Sequence, residues 1–364
     1  MKFNLPTYMA PDFSAESLRM APDTEFLPAP ADFVAPEGYH ATTIFPEYFK
    51  VEGQWLLAGR SRMDCVAVRE DGEVHVREFR HIKRGDLVAV GRTEDGVDGI
   101  FVHPNCFSAQ SGKRENFAFR QGRSRETAFS VDYDFLYSLM RHDREHGNIV
   151  WVMGPACTFD ADSRKAFSGL IEKGYVGALL GGNALATHDL EGAYLNTALG
   201  QDIYTQALYP NGHYNHIDTI NRVRLHGSIE SFIKAEGIDN GIIYTCKRCG
   251  VPTVLVGSIR DDGPLPGVYG DVYEGQDAMR EHLSNATVVI AMATTLHTIA
   301  AGNITPMYHV LKDGTVRPVY FYTVDISEFS ANKLADRGSL SAKSIITNVQ
   351  DFVVQLSKEL GAWG

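Results

Sequence analysis

The sequence lacks the features that would mark a membrane, secreted or nucleic-acid-binding protein. It has no apolar run long enough to span a bilayer, and Met1 to Met9 carry one lysine and no apolar stretch of the kind a secretory signal needs. Its five cysteines are odd in number and scattered through a large chain, which argues against a disulfide framework. The net charge of −11 argues against binding to nucleic acid or an anionic membrane, because neutralising phosphates needs a basic surface. We therefore expect a cytoplasmic protein that binds neither.

The pattern of apolar residues changes near residue 148, and a length of 364 residues is typical of about two domains. Residues 1–50 begin with a proline-rich stretch and are predicted to form an N-terminal arm. Residues 51–130 form a small β-rich domain in this prediction, because short apolar or alternating runs are broken by Asp71-Gly72 and Asp95-Gly96. Ser108 to Arg125 is predicted to be a mobile or substrate-covering loop. Residues 131–364 are predicted to be an α/β domain that opens with a helix over 131–144.

Five apolar runs without alternation follow, separated by helical patterns such as that over residues 161–173. Strands that read as continuous apolar runs are covered on both faces, as in a parallel sheet with helices on either side. The sequence therefore predicts a doubly wound parallel α/β sheet. The five predicted strands are residues 149–153, 175–180, 251–256, 287–292 and 319–324.

Glycines and small polar residues stand at the ends of these strands, where open parallel sheets bind their ligands. Gly154-Pro155 and Gly181-Gly182-Asn183 would let a backbone approach a phosphate closely. Asp325 is placed like the acid that accepts hydrogen bonds from ribose hydroxyls. A single such glycine more often marks only a tight turn, and the Gly-x-Gly-x-x-Gly fingerprint is absent. Taken together, the strand ends predict a nucleotide cofactor whose phosphates are held in another way.

The loop after the third strand carries Arg260-Asp261-Asp262 between a glycine and two prolines. One aspartate could pair with Arg260 and leave the other free for proton transfer, although a solvated turn with an ordinary ion pair would have the same composition. His297 would lie at a helix N-terminus, either as a cofactor contact or as a capped core histidine.

Two further motifs are not interpreted as sites. His213 and His216 have the i, i+3 spacing of a zinc pair, but no third ligand is evident nearby, so no metal is predicted. Cys246 and Cys249 form a Cys-x-x-Cys at the end of a helical stretch, whereas a redox pair would open a helix. We interpret them as two incidental thiols.

Several motifs together resemble the archaeal-type, or alternate, ornithine cyclodeaminases. This group is also known as the LOR/SDH domain family, and it recurs as the C-terminal part of cyanobacterial arginine dihydrolase fusion proteins. The resemblance covers roughly residues 80 to 360 and is strongest from residue 148 onward. The motifs that carry it are Gly154-Pro155-Ala156, Gly182 to Ala186, His188-Asp189, Gly257 to Pro266, Gln276 to Leu283, Ala293 to Ile299 and Lys333 to Ser339.

The resemblance implies a domain like the NAD-binding domain of deoxyhypusine synthase, joined to a smaller β-rich N-terminal domain in a homo-oligomer, a dimer or tetramer. It also implies bound NAD and the conversion of a small amino acid, L-ornithine, to L-proline with loss of ammonia. In this chemistry NAD takes a hydride and returns it, so water must be kept out. The positions implied to contact NAD are Asn183, Ala184, Asp262, Thr294, Thr295, Leu296, His297 and Asp325.

A cyclodeaminase also needs a group that removes a proton from the substrate ammonium and a group that holds its carboxylate. Asp261 or Asp262 is the first candidate for the proton, and Arg260 could bind the carboxylate bidentately. Two other functions fit the same cofactor: an amino-acid dehydrogenase or imine-forming enzyme that releases NADH, and a non-catalytic NAD- or amino-acid-sensing module. Departures from the family pattern at Cys157 to Asp160 and Ser327 to Phe329 leave the choice of substrate open.

Overall fold

The computed structural model describes residues 3–107, 130–259, 261, 263–311, 314–327 and 342–364. Within those ranges no helix combines the length and apolar character that a membrane span requires. The described residues divide into two compact units. The first contains residues 3–107, 305–311 and 314–320, and the second contains 130–259, 261, 263–304, 321–327 and 342–364. The predicted loop over Ser108 to Arg125 lies outside the described residues.

The first unit is built mainly of antiparallel β-strands. One sheet has the strand order β1-β6-β4-β5, a second has the order β3-β2-β7, and β14 pairs with β15. Phe49, Ala67, Ala89 and Ile100 are fully buried in one of its hydrophobic clusters. Its elements are α1 (Glu16–Arg19), β1 (Glu25–Pro28), β2 (Glu47–Val51), β3 (Gln54–Leu57), β4 (Val66–Glu70), β5 (Glu73–Arg77), a 3-10 turn (Phe79–His81), β6 (Leu87–Val90), β7 (Ile100–Val102), β14 (Tyr308–Val310) and β15 (Val316–Pro318).

The turn between β4 and β5 follows from its two residues. Asp71 and Gly72 both have positive φ angles, 51° and 83°, and Glu70 pairs with Glu73 across the hairpin. This is the geometry of a two-residue hairpin loop that matches the twist of its strands. The turn predicted at this dipeptide is therefore present.

The residues predicted to form an arm contribute strands to both of the larger sheets of this unit. Strand β1 pairs only with β6, so it is an edge strand, and Pro28 lies at its last position. Proline is tolerated there because an edge strand leaves backbone groups unpaired. Strand β2 is paired on both sides and buried along its whole length. The pairings β1–β6 and β2–β7 form between residues distant in sequence, which a local pattern does not reveal, whereas β2–β3 is a short hairpin.

The second unit is a six-stranded sheet with helices. Its strands are β8 (Ile149–Met153), β9 (Ala178–Gly182), β12 (Thr253–Val256), β13 (Val288–Met292), β16 (Tyr320–Asp325, which starts at the edge of the first unit) and β17 (Ala342–Ile346), with a small β10–β11 hairpin (Thr197–Ala198, Gln201–Asp202). Its helices are α2 (Ser130–His146), α3 (Ala161–Glu172), α4 (Asn183–Leu195), α5 (Asn215–His226), α6 (Ile229–Ala235), α7 (Ile242–Cys249), α8 (Val272–Leu283), α9 (Thr295–Ile304) and α10 (Val349–Glu359), with 3-10 turns at Pro155–Thr158 and Gly212–Tyr214.

The six strands lie in the order β12-β9-β8-β13-β16-β17. Numbered along the chain, this is 3-2-1-4-5-6, the order of a doubly wound dinucleotide-binding fold. Strand β8 pairs in parallel with β9 and β13, β9 with β12, and β16 with β17. The predicted α/β fold class is confirmed. All five predicted strands are present, and β17 is a sixth that the sequence did not indicate.

Helix α3 begins where its sequence supplies a cap. The carboxylate of Asp160 accepts a hydrogen bond from the backbone N–H of Ser163 at 2.8 Å, which satisfies one of the free donors of the first turn. The helix then buries Phe167 edge-on against Trp151 of β8, with ring centroids 5.0 Å apart. It ends at Glu172, one residue before the predicted end.

Helix α4 is tied to two neighbouring helices through Asp189. One carboxylate oxygen accepts hydrogen bonds at 3.0 Å from both Arg164 Nε of α3 and the backbone N–H of Ile242. The other accepts from the N–H of Ile243 at 2.7 Å. Asp189 thereby caps α7, whose preceding residue, Gly241, has no side chain with which to do so.

Candidate functional site at the strand ends

The sheet order places a crevice between the carboxyl ends of β8 and β13, where the chain reverses its direction across the sheet. At this point the backbones after the two strands meet closely. Gly154 donates its N–H to the carbonyl of Met292 at 2.8 Å, and a Cβ built on Gly154 would collide with the carbonyl oxygen of Ala293. Ala293 itself has a φ of 50°. Only glycine allows this approach at position 154, so the residue is required by geometry.

Helix α4 starts directly at the end of β9. Gly182 precedes it, and among the described residues no side chain caps its first turn. The N–H groups of Asn183 and Ala184 therefore remain available to an anionic ligand, as at other helix N-termini. The side chain of Asn183 is buried and turned to the protein, because its Oδ1 accepts the N–H of Leu265 at 2.9 Å. This bond fixes the loop after β12 against the start of α4.

His297 links three strand ends. Its Nε2 lies 3.2 Å from the carbonyl oxygen of Val256, the last residue of β12, and its Nδ1 lies 3.2 Å from Thr294 Oγ1. A carbonyl only accepts, so Nε2 carries the proton and Nδ1 accepts from the threonine hydroxyl. Burial lowers the pKa of His297, which favours this neutral form. A Cβ on Gly182 would lie 3.0 Å from the imidazole. His297 is thus a fixed, neutral side chain that joins the ends of β9, β12 and β13.

The other positions expected to contact a cofactor lie along the same edge. Thr295 and Leu296 open α9, and Leu296 is 69% exposed. Asp325 is the last residue of β16, and its Oδ1 accepts the N–H of Ser327 at 2.8 Å. Its second carboxylate oxygen has no hydrogen-bond partner within the described ranges. Asp262, which was also expected to contact the cofactor, lies outside the described residues.

The residues expected to act on the substrate are only partly visible. Arg260 and Asp262 lie outside the described residues. Asp261 is half-buried, and its Oδ2 accepts the backbone N–H of Ser258 at 2.7 Å. Asp261 therefore stabilises its own turn as well as facing the pocket described next.

A pocket of about 420 Å³ lies between α4, α5 and the loop after β12. It brings together Asn183, Ala184 and Asp261, which the sequence singled out. It also contains polar side chains for which the sequence assigned no role. The lining residues are Asn183, Ala184, Thr187, His188, His216, Ile217, Ile220, Asn221, Arg224, Asp261 and Gly263.

His188, which belongs to a motif of the resemblance but was given no role, is the most notable of these residues. It is 7% exposed, and its Nδ1 lies 2.9 Å from Glu191 Oε2, while Glu191 is fully buried. The ring of His216 lies 5.9 Å away, and burial lowers the pKa of His216. The i, i+3 spacing of His188 and Glu191 on a predicted helix was the available signal. Such pairs are common on exposed helix faces, so the spacing alone did not distinguish this one.

The remaining sequence motifs fall elsewhere. Cys246 and Cys249 lie at the end of α7, the first buried and the second exposed, and both are free thiols. His213 is exposed and stacks on Tyr214 at 4.3 Å. The described residues contain no cluster of three or more histidine, cysteine or carboxylate side chains arranged to hold a metal ion. The Lys333 to Ser339 motif lies outside the described part of the chain.

Known proteins share this fold and much of this sequence. A family model for the arginine dihydrolase ArgZ-like C-terminal Rossmann fold matches residues 136–356. An ornithine cyclodeaminase from Methanopyrus kandleri is 36% identical over 336 residues, which cover 92% of this chain and 77% of that protein. The bifunctional arginine dihydrolase/ornithine cyclodeaminase AgrE from Nostoc sp. is 32% identical over 93% of this chain, but over only 47% of its own length.

Two solved structures extend the comparison to three dimensions. A conserved putative LOR/SDH protein from Methanococcus maripaludis superposes with a TM-score of 0.84 at 34% identity, covering 93% of this chain and 98% of that one. The ternary complex of AgrE with ornithine and NAD+ superposes with a TM-score of 0.59 at 31% identity, covering 94% of this chain and 46% of that one. The resemblance that the motifs carried is confirmed, and the chain belongs to the archaeal-type ornithine cyclodeaminase family, a family of enzymes with a Rossmann-fold domain.

Proposed function

We propose that this protein converts L-ornithine to L-proline and ammonia with NAD held at the strand ends. The observation that carries the proposal is that helix α4 borders both the strand ends and the adjoining pocket. Its N-terminus provides an anion site at the sheet edge, and one turn further along His188 faces the adjoining pocket. A cofactor site and an acid–base group thus adjoin, as an amine oxidation requires. The ornithine and NAD+ bound to the similar AgrE support the same assignment.

The residues at the strand ends fit NAD. The uncapped first turn of α4 offers N–H groups to a pyrophosphate, and the absence of a Cβ at Gly182 keeps the approach open. Asp325 has a carboxylate oxygen available to a ribose, and Thr294 with His297 forms the wall between them. When bound, NAD accepts and returns a hydride. We assign it, as part of the proposal, to Asn183, Ala184, Asp262, Thr294, Thr295, Leu296, His297 and Asp325.

The pocket suits a small diamino acid. Its volume of about 420 Å³ is in the lower part of the range for small-molecule sites. Asp261 offers a negative charge to a substrate ammonium. Arg224 lies opposite on α5 and uses Nε and Nη2 to donate to the carbonyl of Pro264, which leaves the rest of its guanidinium free for a carboxylate. Arg260 and Asp262 remain predicted partners of the substrate.

Mass spectrometry of reaction mixtures tests the proposal. The purified protein is incubated with L-ornithine, L-lysine or 2,4-diaminobutyrate without added NAD, and ammonia and the cyclic product are measured. We expect proline and ammonia in equal amounts from ornithine, together with NAD released on denaturing the protein. Net NADH formation would instead indicate a dehydrogenase. Binding of a diamino acid without any turnover would indicate a sensing module.

The compartment and the assembly are part of the proposal. All five cysteines lie in the described ranges without a disulfide, and four of them are buried, which agrees with a reducing compartment such as the cytoplasm. We expect a homo-oligomer, a dimer or tetramer, which light scattering of the purified protein measures directly.

A further inference from the structure

We propose that His188 is the acid–base residue of this reaction and that Glu191 is the residue that positions it. The inference rests on the proposed function, because it assigns the proton transfers of that reaction to one side chain. It departs from the sequence-based expectation, which gave this role to Asp261 or Asp262.

A chain of hydrogen bonds holds the His188 imidazole in place. Its Nδ1 lies 2.9 Å from Glu191 Oε2. The other carboxylate oxygen, Oε1, accepts from Thr197 Oγ1 at 2.8 Å, and that hydroxyl oxygen accepts from Asn215 Nδ2 at 2.8 Å. The chain joins α4, β10 and α5, and Glu191 and Thr197 are fully buried. Burying a carboxylate costs free energy unless it is paired and hydrogen-bonded. Glu191 meets this condition through His188 and Thr197, and a role in positioning His188 explains why a carboxylate is buried there.

The direction of these bonds leaves one ring nitrogen free for chemistry. Asn215 Nδ2 can only donate, so the proton of the Thr197 hydroxyl is directed to Glu191. An ionised carboxylate only accepts, so the Nδ1 of His188 carries the other proton. The lone pair of the neutral ring is then on Nε2. His188 lines the pocket, and its Nε2 has no hydrogen-bond partner in the described ranges. This is the arrangement of a base oriented by a third group.

The surroundings of His188 favour proton exchange with a bound amine. Phe159 packs edge-on against the ring at 5.6 Å, and the ring of His216 lies on another side at 5.9 Å. Burial lowers the pKa of His216, and its buried Nδ1 has no partner among the described residues. A neutral His216 does not repel a positive charge on His188. Asp261 and Arg224, which also line the pocket, are the charged groups that would face the substrate.

Asp261 is a weaker candidate for the same role. Its Oδ2 accepts the backbone N–H of Ser258, and the N–H of Asp261 donates to the carbonyl of Ser258 at 3.0 Å. Protonating Oδ1 of this carboxylate would make Oδ2 a weaker acceptor of the bond that closes its own turn. His188 can accept a proton on Nε2 without breaking any bond in the chain, because Nδ1 keeps its proton and its partner.

Nε2 of His188 takes up one proton and returns it in each reaction cycle. Nε2 takes one proton from the α-ammonium of ornithine, so that the α-hydrogen can leave with its electron pair. After the neutral δ-amine has attacked the resulting C=N carbon, Nε2 returns that proton to the α-nitrogen, whose C–N bond breaks to release ammonia. The δ-nitrogen loses one proton to water before the attack and one after it. The proline nitrogen and ammonia each take up one proton from water, and the returned hydride restores the electron pair.

The experiment compares four variants of this chain, and one of them, H188A, leaves a cavity that added imidazole can enter. H188N keeps an N–H donor near the position of Nδ1 for Glu191 but removes Nε2, H213N is the matched control in an exposed neighbouring histidine, and D261N tests the competing assignment. We measure kcat and KM for ornithine, NAD content and melting temperature, with and without added imidazole. We expect H188N to lose about 100- to 10,000-fold in kcat with KM and NAD content near native values. Imidazole should restore part of this rate, and H213N should match the native protein.

Glu191 is tested by E191Q, which keeps the shape and removes the charge. We expect a smaller fall in kcat than in H188N, with no change in KM and no rescue by imidazole. A purely structural role would instead lower the melting temperature and the NAD content together with kcat.

Each outcome decides between the assignments. If the native protein is active and the kcat of H188N lies within about threefold of the native value, His188 is not the acid–base residue. The same conclusion follows if imidazole restores no rate to either H188N or H188A. If D261N shows the loss expected of H188N while H188N stays active, Asp261 is the base. If H188N does not fold, the decision passes to E191Q, for which an unchanged kcat overturns the proposal. A native protein that makes no proline from ornithine overturns the proposed function and this inference with it.

Discussion

Replacing Gly154 by alanine should weaken both the fold and the binding of NAD. A Cβ at this position would approach the backbone oxygen of Ala293 to well under 3.0 Å, whereas ordinary contacts of Cβ atoms are 3.4–4 Å. The obstacle is backbone, so it cannot move aside as a flexible side chain would. Overpacking of this kind costs about 1–3 kcal/mol. For a unit of this size the melting temperature should fall by about 2–12 °C.

The same substitution should weaken NAD binding, because the displaced backbone is the end of β13, two residues before α9. Moving Ala293 moves Thr294 and with it the support of His297. A loss of about 1.4 kcal/mol in binding raises Kd tenfold, and we expect at least about that change for NAD, measured by titration calorimetry on protein stripped of cofactor.

Two other glycines provide matched controls for this variant. A Cβ on Gly169 would meet the carbonyl oxygen of Ala362 just as closely, but on helix α3 away from the strand ends. A Cβ on Gly270 would meet nothing within 4 Å. G169A should therefore lose stability without losing NAD affinity, and G270A should lose neither. The reasoning is refuted if G154A behaves like G270A, or if G169A weakens NAD binding as much as G154A does.

Three further predictions follow from buried groups. D189N should lower the free energy of unfolding by about 3–5 kcal/mol, since it breaks the buried pair with Arg164; a loss below about 1 kcal/mol in urea titrations would contradict this. Burial holds the pKa of His297 below its ordinary 6.5, so the stability that the neutral ring contributes is present above that pH and is lost as pH falls. H297Q should therefore reduce the loss of stability between about pH 6.5 and 5 in the same urea titrations. An unchanged dependence of stability on pH would refute the assignment. Burial raises the pKa of Cys246 to about 12 while Cys249 is exposed, so iodoacetamide at pH 8 should label Cys249 alone of this pair; mass spectrometry showing equal labelling would exclude the packing described for α7.

Local patterns predicted the second unit well where burial was complete. Ile149 to Met153 was predicted with its observed bounds because every residue of this central strand is buried, so the apolar run and the strand coincide. Strand β17, which reads Ala-Lys-Ser-Ile-Ile, lies at the sheet edge and carries polar residues in its first half, so it produced no such run. Strand β1 escaped prediction because its one partner, β6, lies far along the chain, and β2 depends on the distant β7 as well as on the adjacent β3.

The candidate site was predictable to the extent that it is made of strand ends. Asn183, Thr294 and Asp325 each follow or close a strand, and parallel strands bring such positions to one edge. The pairing of His188 with Glu191 was not predictable in the same way. It depends on Thr197 and Asn215, whose arrival beside α4 is set by how the β10–β11 hairpin and α5 pack.

Helix α4 has a further consequence for how this enzyme could diversify. From Leu185 to Gly192 every residue is buried, and Asp189 anchors it to α3 and α7, so nearly any change there disturbs several elements at once. The opposite wall of the pocket is different, because α5 exposes Ile217 and Asn221 to solvent as well as to the pocket. Under the proposed assignment, substitutions on α5 would alter the length or charge of the accepted amine while His188 on α4 keeps its position. Chemistry and selectivity would then be carried by separate helices, so that new substrates could be acquired by altering one of them.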